Sequence, residues 1–339
     1  MKTPKIPIPL PKRRNLSDRG LKEDRDDISV MENPRTKEKV AGRSLYFGTT
    51  YENEWLQPMP FFWTREGNAM NGLIGLYKGA TAFLICGGPS FKDLDHSKLQ
   101  NCWTMCVNNS VRTYRPNAWV SVDDPTRFIR STWLDPKIMK FQPLAMHNKD
   151  LWDNYSNQPL GWKVGDCPNV LYFRRNSKFH SPRWLWEDSF NWGNAEDFGG
   201  CRTVMLPALK ILFLLGFRTV FLLGCDLDMG DGKNYHFEEK RDKGAVRCNT
   251  NTYKRMNEEY FPKLRPEFEN VGFNVFNCNE KSKLTAFDYV SYDDAVLFAN
   301  TMLGDIDNEP TMGMYCKKED KLKELKEKES KPTDGKDKE

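Results

Sequence analysis

The 339-residue sequence has no apolar run long enough to cross a bilayer: the longest, residues 211–217, is far short of the ~20 residues a spanning helix needs. The first fifteen residues are rich in Pro and Lys and lack the apolar centre of a signal peptide. The expectation is a cytoplasmic chain with no membrane partner. Nine cysteines include no Cys-x-x-Cys pair, which removes the usual zinc and redox spacings and fits a reducing compartment. Strong charge of one sign is missing as well; at +4 the chain gives no electrostatic indication of a nucleic-acid partner. Histidine is scarce, with four in the chain, and no repeat of fixed period occurs.

What remains is a globular composition, 39% hydrophobic and 13% aromatic, between two polar ends. Residues 1–44 read as a disordered or loosely docked extension and 317–339 as a charged disordered tail, leaving 45–316 as one domain. Within it, short runs rich in β-branched and aromatic residues (81–86, 103–108, 118–123, 143–146, 170–174, 219–226 and 274–277) predict buried strands. The runs are continuous rather than alternating, as in a parallel sheet covered on both faces. Residues 202–215, apolar around most of a helical circumference and followed by Gly216, predict a buried crossover helix. Five of the ten tryptophans, Trp152, Trp162, Trp184, Trp186 and Trp192, fall in 149–200, which reads as an irregular insertion. Such an insertion either lines a sugar- or base-binding surface or seals a loop onto the core. The fold class expected is α/β and Rossmann-like, with a mostly parallel sheet, helices on both faces and an aromatic-rich insertion.

Chemistry gathers where the apolar runs stop, the edge at which parallel sheets bind ligands. After the first run come Gly87, Gly88, Pro89 and Ser90. Two residues without Cβ let backbone amides approach a phosphate, and Ser90 can cap a helix or donate to an anion; the same turn also serves as a tight strand-to-helix connection. Asn108 and Asp124 end the next two runs and suit a base edge or a ribose hydroxyl, or else a simple turn. Asp226 and Asp228 end a fourth, near Tyr235 and His236. In a loop the two carboxylates can share a magnesium ion, whereas on a strand they point apart. His236 is the general-base candidate, with a structural role as the alternative.

In their order these motifs resemble the bacterial sialyltransferases that use a cytidine-monophosphate-activated sugar, their motility-accessory and pterin pyrophosphokinase-like relatives, and bacteriophage-encoded relatives. The resemblance covers about residues 80–300. It aligns Gly87 to Ser90 with an Asn-Gly-Pro-Ser loop, Asn108 with a nucleotide-contacting Asn, Asp124-Pro125 with an Asn-Pro, and Thr203 with a Thr-Ser before the buried helix. Residues 215–226 resemble a Leu-Gly-Tyr…Gly-x-Asp segment, Tyr235 falls near a phosphate-holding tyrosine, and 278–287 resemble a Cys-Pro-Asn-Ser…Phe close. Two positions depart: Gly87 replaces the loop Asn, and 246–251 hold no histidine where that family places its base.

The residues and the resemblance together give a nucleotide-binding set of Gly87, Gly88, Pro89, Ser90, Asn108, Asp124, Thr203 and Asp226, and a catalytic set of Tyr235 with His236 or Asp228 as the substitute base. The activity expected is transfer of a group from a nucleotide-activated donor, a cytidine-monophosphate sugar or another nucleotide sugar, to an acceptor hydroxyl. Two alternatives stand beside it: a magnesium–ATP pyrophosphokinase-like transferase, with Asp226 and Asp228 on the metal, and an inactive nucleotide-binding or assembly protein. The acceptor is left open, as is a homo-oligomer; for a phage-encoded chain the compartment is the host cytoplasm.

Overall fold

A computed structural model describes residues 61–153, 156–176, 185, 190–191, 203–230, 235–239, 243–301 and 317–329, and 30–32 and 39–41, with the backbone alone of 30–32, 39–41, 175–176, 190–191, 243 and 328–329. Seven strands form one sheet: β1 (Thr81–Ile85), β2 (Trp103–Val107), β3 (Ala118–Val120), β4 (Met139–Pro143), β5 (Val170–Phe173), β6 (Thr219–Leu223) and β7 (Asn274–Asn277). Their order across the sheet is β7-β6-β1-β2-β3-β4-β5, and every neighbouring pair is parallel. This is a Rossmann-like α/β fold.

The continuous apolar runs are explained by two cores, one on each face, to which successive strand residues alternate. Ala82 and Leu84 of β1, Met105 and Val107 of β2, and Val220 and Leu222 of β6 face one core. Phe83, Ile85, Cys106, Phe221 and Leu223 face the other. The helices are α1 (Arg130–Leu134), α2 (Met205–Leu215), α3 (Lys243–Arg255), α4 (Phe261–Asn270), α5 (Tyr292–Thr301) and α6 (Lys318–Glu329). The first core is covered by α2, buried along its whole length, and by Leu264 and Phe268 of α4. The second is covered largely by 3-10 turns that supply Phe91, Leu99 and Val111, with Ala295 and Val296 of α5. Gly216 ends α2 in the left-handed region, φ +106°, where a Cβ would stand 2.9 Å from the backbone of Gly75 and Lys78. Glycine there fits both the cap and the close approach.

Three expectations are corrected. The strand expected at 143–146 is Met139–Pro143, and Leu144–Met146 form a 3-10 turn. Its polar members hid it: Lys140 is wholly buried, its ammonium donating to the carbonyl oxygens of Asp135, Ile138 and Pro168. Among the described residues of 149–200 there is more regular structure than expected, because Asp150–Asp153 and Gln158–Lys163 pair as an antiparallel hairpin and β5 joins the main sheet at its edge. Trp162 packs against the second core, so this tryptophan seals the hairpin down; Trp184, Trp186 and Trp192 lie outside the described residues. The chain divides into two compact units, Met1–Ala299 and Asn300–Glu339. The second holds α6, where a disordered tail was expected: its Lys, Glu and Leu are good helix formers, and Lys321 pairs with Glu324 at 3.2 Å. Most of the N-terminal extension lies outside the described residues.

Candidate functional site

Neighbours in the sheet follow chain order from β1 to β5, but β6 lies on the other side of β1. Such a reversal in strand order places a ligand crevice at the carboxyl ends of β1 and β6, whose loops are themselves joined by the Gly88 amide donating to the Gly224 carbonyl oxygen. A cavity of about 630 Å³ lies there. Of the residues singled out from the sequence, Gly87, Gly88, Pro89, Asn108, Thr203, Asp226, Asp228 and Tyr235 line it, whereas Ser90, Asp124 and His236 do not.

The two loop glycines meet the protein's own side chains. A Cβ on Gly88 would lie 1.8 Å from Asp226 Oδ2 and 2.5 Å from the Gly224 carbonyl oxygen, and one on Gly87 would lie 2.8 Å from the Tyr235 ring. Asp226 ties three strand-end loops together: Ser90 Oγ donates to Oδ2 at 2.8 Å, and Asn279 Nδ2 donates to Oδ1 at 3.0 Å. Burial pushes its carboxyl above the ordinary value, against the pull of the Ser90 hydroxyl and amide. Ser90 thus acts behind the cavity wall, through Asp226.

At the end of β2, Asn108 adopts a left-handed backbone, φ 48°, rare away from glycine. The side-chain oxygens of Asn108 and Asn109 are both buried without a partner. The other end of the Asn109 amide donates to Glu239 Oε2 at 3.0 Å. On the facing side α2 begins at the cavity, with Val204 and Met205 in the lining and Thr203 Oγ1 accepting from the Met205 amide at 3.2 Å. Asp228 stands at the β6 end, its Oδ1 accepting from Lys283 Nζ at 2.9 Å and from the Gly230 amide. Asn249 Nδ2 donates to the Tyr235 hydroxyl at 2.7 Å.

Sequence reasoning missed Asn249 and its neighbours on α3. Asn249, Thr252 and Tyr253 share one helical face and all line the cavity. The i, i+3, i+4 spacing was the available signal, in the stretch where no histidine stands. Arg112, Arg127 and Glu239 were missed as well. Among the described residues no three His, Cys, Asp or Glu side chains converge as a metal site. No described helix is long and apolar enough to cross a membrane.

No family model matches the sequence, and no curated protein matches it. Among solved structures, the MAf glycosyltransferase from Magnetospirillum magneticum AMB-1 is similar at a TM-score of 0.36 and 13% identity, over 70% of this chain. This chain spans 41% of that protein's length. A mammalian sialyltransferase in complex with Gal-beta-1-3GalNAc-ortho-nitrophenol is similar at a TM-score of 0.32 and 12% identity, over 52% of this chain and 66% of its own. Both are distant likenesses, and the site is read from its own geometry.

Two candidates outside the cavity lining, Asp124 of the nucleotide-binding set and His236 of the catalytic set, are held by other contacts. Asp124 caps the turn that follows it, its Oδ1 accepting from the amide and hydroxyl of Thr126 at 3.1 and 2.9 Å. His236 is buried, with Nε2 at 2.9 Å from the Cys86 carbonyl oxygen and Nδ1 at 2.6 Å from Thr113 Oγ1. The carbonyl can only accept, so Nε2 carries the proton and Nδ1 accepts from Thr113. Both nitrogens are engaged away from the cavity, and the ring serves as a strut. With the His236 amide donating to Gly87 O and Arg112 donating to Glu238 O, it holds residues 235–239 as a strap over the turn after β1. The Tyr235 and Phe237 rings of that strap stack at 4.9 Å.

Burial holds the His236 imidazole down at about 4. An unfolded chain takes up that proton near pH 6.5, and the folded one refuses it until about 4. The stabilisation is therefore complete above pH 6.5 and lost as the pH falls from 6.5 to 4, on the order of 3 kcal/mol in all. His147, also lowered by burial, acts in the same direction. Urea unfolding at pH 7 and pH 4.5 is expected to give the higher midpoint at pH 7, and His236→Asn to flatten the difference. An unaltered slope in the variant would take His236 out of the account.

Proposed function

We propose that the protein is a transferase that holds a nucleotide-activated donor in the crevice between β1 and β6 and moves a group from it to an acceptor hydroxyl. The observation that carries this reading is the pair of unpartnered amide oxygens on Asn108 and Asn109, buried beside the same cavity as a helix start and a glycine turn. A buried acceptor without a partner is costly and calls for an N–H or O–H from a ligand. A nucleobase amino group or a ribose hydroxyl supplies one. The start of α2 offers a positive dipole end for the phosphates; in the turn the Gly88 amide already bonds the Gly224 carbonyl and Pro89 has no N–H, which leaves the Gly87 amide. Tyr235, oriented by Asn249, stands beside them as a phenol able to bond a phosphate oxygen.

Asp228 is the base in this reading, because of the two carboxylates after β6 that line the cavity it is the one not held by Ser90 and Asn279, and His236 is occupied elsewhere. A magnesium-bridging pair is less favoured by the contacts, since Asp226 bonds Ser90 and Asn279 while Asp228 bonds Lys283. By the resemblance in the sequence, a cytidine-monophosphate sugar is the first donor to test.

Thermal-shift titration with CMP, CDP, UDP, GDP, ADP and ATP, each with and without magnesium, tests the reading. At 100 times Kd a ligand stabilises the native state by about 2.7 kcal/mol. At least one sugar-carrier nucleotide is expected to raise the melting temperature without magnesium, and Asn108→Ala to weaken it at least ~10-fold. Absence of any shift, or a shift indifferent to Asn108→Ala, would sink it; a strict need for magnesium with ATP would move it to pyrophosphoryl transfer.

A further inference from the structure

Three sulfur-bearing side chains, Cys86, Met205 and Cys225, line the cavity where α2 begins, and all three are buried. Cys86 follows β1, and the alternation of that strand puts its thiol in the first core. Cys225 reaches the same core by a turn. A strand running straight through Gly224 would send Cys225 to the second core with Leu223, but the left-handed backbone of Gly224, φ +62°, returns it to the first. There the Cys225 thiol donates to Met205 Sδ at 3.7 Å and stands in hydrogen-bonding contact with the Cys86 thiol. Met205 is the first residue of α2, so the cluster gathers at the positive end of that helix.

We propose that Cys86, Cys225 and Met205 form a binding site for a soft monovalent cation of the copper(I) class, with two thiolates and a thioether as ligands. Soft thiolate and thioether donors select such an ion over hard divalent ones. Around an ion with metal–sulfur bonds of about 2.3 Å, three sulfurs in one plane stand ~4 Å apart. The Cys225–Met205 separation of 3.7 Å is already close to that, and the flexible methionine side chain can supply the remaining adjustment. Binding replaces two S–H bonds by two metal–sulfur bonds and releases two protons to solvent. The site then carries one net negative charge, which the start of α2 favours. The contact with Cys86 and burial hold the Cys225 thiol well above its ordinary value, so its proton is still there to be released at neutral pH.

Anaerobic titration of the reduced full chain with copper(I), against a chromophoric copper(I) chelator, reads the affinity. The copper X-ray absorption spectrum of the loaded protein is expected to show a sulfur shell at about 2.3 Å. Between pH 6 and pH 7.5 the affinity is expected to rise ~100-fold per pH unit, the mark of two released protons. Cys86→Ala and Cys225→Ala are each expected to weaken binding ~10²-fold or more and Met205→Leu ~10-fold, whereas Cys248→Ala, at an exposed thiol on the same cavity, leaves it within about twofold. Unaltered affinity in Cys225→Ala, or a spectrum without sulfur ligands, overturns the proposal. Should a variant fail to fold, the wild-type protein still decides: a rise of only ~10-fold per pH unit means a single thiolate and overturns it as well. None of these outcomes depends on whether the protein transfers a group.

Discussion

Gly88→Ala is expected to destabilise the protein by about 3 kcal/mol or more, lowering the melting temperature by roughly 6–12 °C, although it adds a single methyl group. The methyl carbon would stand 1.8 Å from Asp226 Oδ2 and 2.5 Å from the carbonyl oxygen of Gly224, distances no packed carbon occupies. Asp226 cannot simply swing aside, because Ser90 and Asn279 hold both of its oxygens. Nor can Gly224 retreat, since its carbonyl accepts the Gly88 amide at 2.7 Å and thereby continues the β1–β6 pairing past the sheet. The loops must part, and the crevice with them. Gly87→Ala makes the contrast: its new carbon meets only the edge of the Tyr235 ring at 2.8 Å, and a ring on a strap can move. The expected order, measured by denaturant unfolding, is a large loss at Gly88 and a smaller one at Gly87. Wild-type stability in Gly88→Ala would mean that the contact between these two loops is not what holds the site.

Asp228→Asn is expected to lower transfer to an acceptor by ~10²-fold or more while leaving nucleotide affinity within about twofold. The substitution keeps the shape of the side chain and an oxygen for the Gly230 amide, so the loop retains its Asx turn. What it removes is the negative charge that can take a proton from a hydroxyl, together with the partner of Lys283. Lys283→Ala separates these two losses: it breaks the ion pair and keeps the carboxylate. If Asp228 acts as the base, Asp228→Asn costs much more turnover than Lys283→Ala. Equal effects would make the ion pair a structural brace, and an undiminished rate in Asp228→Asn would send the search for a base to another lining group.

The sheet was legible in the sequence because burial on both faces leaves a simple trace. Runs such as 82–86 and 220–223 carry no polar residue at all, and each proved to be a strand. The same logic failed at β4, where Lys140 and Gln142 are buried, Lys140 with its ammonium on three backbone carbonyls and Gln142 with its Oε1 accepting from Ser121. Strand order, and with it the crevice, follows from the position of β6, which composition does not report. Eight of the residues singled out line one cavity, but their divisions of labour were not readable. Gly88 and Ser90 look like a phosphate cradle until Asp226 is seen against them. His236 was attractive as a rare imidazole beside two carboxylates, and only its two bonds, to Cys86 O and Thr113 Oγ1, show that it faces away. Asn249 escaped notice because it lies inside a helix, far from any strand end.

The position of β6 has one more effect, on the birth of the protein. β1 leaves the ribosome with the edge that will receive β6 vacant, and the partner segment lies more than a hundred residues further along; Ser90 and Asp226, which clasp across the join, are 136 residues apart. At synthesis rates of 5–20 residues per second that edge waits roughly seven to twenty-seven seconds, a row of bare amides and carbonyls on one of the most apolar strands in the chain.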